Sequence, residues 1–84
     1  MKFHVLVEVS PRRGIADPQG QTIERSLPAL GFDGVRGVRV GKAIRFEVTA
    51  DSEESARAEV EDMCARFLTN PVIEDSTVSL TSAP

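Results

Sequence analysis

From Lys2 to Ser10 the chain alternates without a break. Phe3, Val5, Val7 and Val9 fall on one side, His4, Leu6 and Glu8 on the other, and Pro11 closes the run. Period two with β-branched residues marks a half-buried strand, one face on a core and one in water. Proline ends it because it has no N–H for a ladder. A strand of this kind cannot stand alone. The rest of the chain must supply both its hydrogen-bonding neighbours and the apolar layer that covers the valines.

The remaining segments are read from the same periodicities. Asp17-Pro18 opens a helix, with Asp17 as cap and Pro18 at the first helical position, where its missing N–H costs nothing. Ile23, Leu27 and Leu30 make its apolar stripe and Gly31 closes it. Pro28 lies inside this stripe, so a kink or a tightened last turn is expected near residues 24–28. Val38 and Val40, then Ile44, Phe46 and Val48, predict two strands joined by a tight turn at Gly41-Lys42. Asp51-Ser52 opens a second helix with Ala56, Val60, Met63, Cys64 and Phe67 on its apolar stripe. Glu53 with Arg57 and Asp62 with Arg66 are i,i+4 pairs on its wet side. Asn70-Pro71 stops it, and Val72 to Leu80 is a last strand. The order β-α-β-β-α-β is the ferredoxin-like, split βαβ pattern of an α+β protein. It predicts a four-stranded antiparallel sheet with two helices on one face, since both crossovers are right-handed. Residues 1–80 form one domain on this reading, and residues 81–84 a frayed tail.

With 84 residues, little room remains for an enclosed active site beside a core. The single cysteine, Cys64, falls on an apolar stripe where burial makes a thiol inert. His4 has no second histidine with which to share a metal. The acidic side chains of residues 53–62 read as a solvated face. A phosphate loop ending at Gly41-Lys42 would need glycine and Ser/Thr where Arg36 and Ala43 stand. The chain has no Trp or Tyr, and its strand phenylalanines fall on the covered side, so no base-stacking platform for RNA exists. No stretch approaches the ~18 apolar residues of a membrane span. The start reads as no signal peptide, and one cysteine suits a cytoplasmic setting. Charge is uneven: +3 over residues 1–50 and −6 over residues 51–84, an asymmetry suited to an oriented contact between chains.

Four short motifs occur in order: Asp17-Pro18-Gln19-Gly20, Leu30-Gly31-Phe32, Val38-Arg39-Val40-Gly41-Lys42 and Asn70-Pro71-Val72-Ile73-Glu74. In these, and over residues 2–80, the chain resembles the PurS family, small subunits of phosphoribosylformylglycinamidine synthase in purine biosynthesis. The resemblance implies a non-catalytic part in an ATP- and glutamine-dependent ligase that converts formylglycinamide ribonucleotide to its amidine. A glutaminase subunit releases ammonia, and a large synthetase subunit carries ATP and Mg. The small subunit is implied to be a homodimer or higher homo-oligomer that bridges the two and aids ammonia transfer. It holds no cofactor or metal of its own, and takes neither nucleic acid nor membrane as partner.

Carried over by motif, Asp17, Pro18, Gln19 and Gly20 shape the first helix entry. Arg39, Gly41 and Lys42 form an exposed hairpin, and Asn70 and Pro71 the helix-to-strand corner. Arg39 and Lys42 are expected to touch another subunit, because turn geometry needs neither charge. Pro28 departs from the family's unbroken first helix. The alternative is a free-standing, dimeric amino-acid-binding regulatory domain of the ACT type, with its ligand near Pro11–Gly20.

Overall fold

The computed structural model describes residues 1–84. Strand β1 (Lys2–Pro11) is central, flanked by β2 (Lys42–Thr49) and β3 (Glu74–Ser82) in the order β2-β1-β3. Both pairings are antiparallel, with Phe3 opposite Val48 and Ser82, and Val7 opposite Ile44 and Val78. Odd residues of β1 thus put side chains on one face, and Phe3, Val5, Val7 and Val9 are all buried there. Helix α2 (Glu53–Met63) covers them with Ala56 and Val60, and Cys64 completes the core. Arg57 reaches from α2 to the Val78 carbonyl at 3.2 Å, fixing the helix over the β3 side. Its sequence partner Glu53 makes no ion pair, whereas Asp62–Arg66 forms at 3.2 Å. Ser52 begins α2 with a reciprocal capping box to Ser55.

The expected four-stranded sheet is corrected to three strands. Val38 and Val40 form no strand, and Gly41-Lys42 is no hairpin turn, for Lys42 is already in β2 opposite Val9. The cause is local competition for the backbone. The Val38 amide donates to Glu24 Oε1 (2.9 Å) and the Val40 amide to Asp17 Oδ2 (2.8 Å), so carboxylates occupy donors a neighbouring strand would use. Helix α1 (Pro18–Ser26) lies beside this segment and contributes nothing to the hydrophobic core. The expectation of two helices on one covered face is therefore met only by α2.

Pro28 acts as its position predicts. The α-helix stops at Ser26, and a 3₁₀ turn over Pro28–Leu30 follows, closed by Gly31 at φ 95°, a left-handed conformation that glycine adopts without a Cβ penalty. At the other end of the chain, α2 runs into a π-helical turn, Cys64–Leu68, closed by the Thr69 amide on the Cys64 carbonyl. The wider turn rotates the stripe, leaving Phe67 86% exposed while Leu68 packs on the core. Strand β3 includes Thr81 and Ser82, and the Ala83 amide donates to the Lys2 carbonyl.

The molecule measures 51 × 29 × 14 Å, with a radius of gyration of 16.5 Å. A compact chain of this length has a radius of about 12 Å. The excess reflects an elongated, thin shape, and α1 adds no residue to the hydrophobic core. No helix is long and apolar enough to cross a membrane.

Candidate functional site

Three of the four sequence motifs meet at the Pro11 end of the sheet. Asp17 precedes α1, and its Oδ1 accepts the Gly20 amide at 3.1 Å while its Oδ2 takes the Val40 amide. Asp17, Gly20 and Glu24 stand at i, i+3 and i+7, one helix face, and that face carries residues 38–40. Gly20 must lack a side chain here, because a Cβ would lie 2.6 Å from the Val38 carbonyl oxygen. A Cβ on Gly41 would collide with the Val9 carbonyl oxygen. These two glycines let a helix and a strand end lie flush against the arm formed by residues 38–41.

Asp17 sits below its ordinary carboxyl pKa of 3.8. The Val40 amide is the main cause and the Gly20 amide the next; partial desolvation opposes them, and the Arg39 cation adds to the lowering. The carboxylate is thus held ionised as a structural bracket between helix and arm.

A shallow cleft of about 230 Å³ lies beside this bracket, lined among others by Gln19, Val40, Gly41, Lys42 and Glu74. Lys42 and Gln19 are exposed at its rim. The Asn70–Glu74 motif, the third of these, enters through Glu74. The Asn70 amide donates to Glu74 Oε1 at 2.8 Å, and Asn70 Oδ1 accepts from the Val72 amide at 3.1 Å, closing the corner before β3. Arg12 ties that corner down through the Glu74 carbonyl (3.4 Å) and the Asp75 carboxylate (3.3 Å). Pro71 instead lines a separate cleft with Arg12 and Cys64, and Arg39 is exposed outside the first cleft. Glu24 and Arg12 were not among the residues singled out in the sequence, and Glu74 stood there only as the end of a motif; the i+7 spacing of Glu24 from Asp17 was the available signal.

Chemically, the cleft presents an amide, an ammonium and a carboxylate, groups that recognise rather than attack. Cys64, the one thiol, is buried. His4 lies on the uncovered sheet face with Nδ1 3.6 Å from Glu47, both well exposed. No cluster of three His, Cys, Asp or Glu side chains is placed to hold a metal ion. Fold and cleft together define a small, open-sided α+β domain with an exposed polar cleft beside the Asp17 bracket.

Comparison with known proteins gives that class a family. Residues 4–82 match the family described as PurS, phosphoribosylformylglycinamidine (FGAM) synthase. The chain is 44% identical over 80 residues to the phosphoribosylformylglycinamidine synthase subunit PurS of Methanothermobacter thermautotrophicus, covering 95% of this chain and 94% of that one. The crystal structure of Methanocaldococcus jannaschii PurS superposes with a TM-score of 0.85 at 34% identity, over 98% of this chain and 99% of the other. A chain of the Thermotoga maritima PurLQS structure does so at 0.88 and 36% identity, over 96% and 99%. The chain belongs to the PurS family, the small subunits of FGAM synthase in purine biosynthesis. This displaces the amino-acid sensor as an account of the fold.

Proposed function

We propose that this chain is the bridge of its FGAM synthase, a homodimer or higher homo-oligomer that seats a glutaminase subunit against a large synthetase subunit in the cytoplasm. The observation that carries this reading is the near-complete likeness to a chain of the PurLQS structure. ATP and Mg belong to the synthetase subunit, where ATP activates the amide oxygen of formylglycinamide ribonucleotide for attack by ammonia. Released into water, ammonia is protonated and loses the lone pair that attacks. A docked, closed path between subunits keeps it reactive, and that is the physical reason for a subunit without chemistry of its own.

On this reading Asp17, Pro18, Gln19 and Gly20 shape the contact surface by bracketing the arm, and Asn70 and Pro71 shape it by fixing the corner that presents Glu74. Arg39, Gly41 and Lys42 lie on the arm and at the start of β2, with Arg39 and Lys42 as the charges offered to another subunit. The test is co-elution. Arg39→Glu combined with Lys42→Glu is expected to keep the circular dichroism spectrum and to lose co-elution with the glutaminase and synthetase subunits. Unchanged co-elution would remove these two residues from the contact.

A further inference from the structure

An aspartate isomerises when the amide nitrogen of the next residue closes on its side chain to form a cyclic imide. The reaction needs both groups free, and four of the chain's five aspartates fail that condition. Asp17 precedes Pro18, which has no N–H, and its carboxylate accepts two amides. The amide after Asp51, that of Ser52, donates to Ser55 Oγ at 3.1 Å. Asp62 lies inside α2 with its carboxylate 3.2 Å from Arg66, and the Asp75 carboxylate is 3.3 Å from Arg12. Asp33 differs. It precedes Gly34 in the link between the 3₁₀ turn and the arm, and both residues are exposed. The Asp33 carboxylate enters no ion pair or hydrogen bond, and the Gly34 amide donates to nothing. A Cβ on Gly34 would meet no atom within 4 Å, so nothing crowds the approach of the nitrogen. Arg36 Nη1 stands 3.4 Å from the Asp33 carbonyl oxygen. Loss of the Gly34 amide proton places negative charge on that oxygen, where a guanidinium stabilises it.

We infer that Asp33–Gly34 is a site of spontaneous isomerisation, promoted by Arg36, that loosens the arm of residues 38–41. The Gly34 nitrogen gives its proton to water and bonds to the side-chain carboxyl carbon of Asp33. That carboxyl, once protonated, loses its hydroxyl as water and the imide closes. Water then opens the ring at either carbonyl. Opening at the side-chain carbonyl restores aspartate. Opening at the main-chain carbonyl breaks the original peptide bond and leaves the chain running through the side chain, with a new carboxylate on the main-chain carbon. One water leaves and one returns, so no oxidant or cofactor is needed. The product lengthens the backbone by one carbon ahead of Val38, whose amide is held by Glu24 at 2.9 Å. The longer link no longer sets Val38 at the place that bond requires. No contact with another subunit enters this inference, so it stands or falls apart from the proposed bridge.

The test ages the full chain at physiological pH and temperature and digests it with trypsin. The peptides are then methylated by an isoaspartate carboxyl methyltransferase and weighed by mass spectrometry. Peptide Ser26–Arg36 holds no other aspartate and no asparagine, so a methyl group gained there reports Asp33. The methylated peptide is expected to accumulate with age, while those carrying Asp51, Asp62 and Asp75 gain none. Gly34→Ala fits the open space without strain and is expected to slow accumulation about tenfold, by crowding the nucleophile. Arg36→Gln is expected to slow it about threefold, and Arg36→Lys to keep most of the rate, since a cation at the oxygen suffices. In the isomerised fraction, hydrogen exchange at the Val38 amide is expected to quicken with Val5 and Val7 unchanged. No methylation at Asp33, or accumulation as fast at Asp51 and Asp75, would overturn the inference. An unchanged rate in Arg36→Gln would strike out the part given to the guanidinium, and unchanged exchange at Val38 would strike out the loosening of the arm.

Discussion

Around Phe3, Val7 and Val60, side chains at 1% exposure or less lock β1 and α2 together. Around Asp17, beside the Pro11 end of the sheet, two carboxylates hold an arm to a helix, and the apolar side chain of Leu30 is 71% exposed. The first region is a small finished core that periodicity alone can specify. The second is half a structure, polar bonds keeping a strand-like segment in place with its far edge open. The contrast teaches that the apolar core of this chain and its polar bracket are built by different forces, side-chain burial in one and carboxylate–amide bonds in the other.

The contrast is sharpest in mutation. Phe3→Ala should cost about 3–5 kcal/mol in urea unfolding, because it empties a closed site, while Leu30→Ala should stay within about 0.5 kcal/mol. Equal effects would dissolve the distinction. Gly41→Ala comes next, at about 1–3 kcal/mol, since its methyl meets the Val9 carbonyl; a neutral result would mean that the arm does not lie against β1. Ser52→Ala removes the α2 cap and should lower stability by about 1 kcal/mol, with no change in the exchange of the Val38 and Val40 amides.

Asp17→Asn has the smallest global effect and the most local one. Hydrogen exchange at the Gly20 and Val40 amides should quicken, with Val5 and Val7 unchanged. The pH sign follows from a depressed folded pKa: the bracket is fully present above the ordinary value of 3.8 and is lost as pH falls through the lower folded value. The arm should therefore loosen in acid before the core does, and Asp17→Asn should abolish that step. An acid transition in which both regions loosen together would contradict the bracket.

Much of the first region was legible in sequence. The alternation of β1, the Ser52 start of α2 and the break at Pro28 each follow from short-range rules. The fourth strand failed because Val38-Arg39-Val40 has the same period whether its amides meet a strand or the carboxylates of Asp17 and Glu24, which lie 23 and 14 residues away. Phe67 failed because a π-turn shifts the helical period in a way the apolar stripe does not announce. At the site, the motifs marked Asp17, Gly20, Gly41 and Asn70 one by one. That they converge, through Glu24 and Glu74, depends on tertiary contacts with no local signature.

The central claim is that this polypeptide contributes surfaces to chemistry performed elsewhere, and amidine formation in a reconstituted mixture tests it most directly. Glutaminase and synthetase subunits supplied with glutamine, ATP, Mg and formylglycinamide ribonucleotide should make little amidine alone and should recover synthesis when this chain is added, the chain itself turning over nothing. Full synthesis in its absence, or turnover of any of these substrates by the purified chain, would contradict the account.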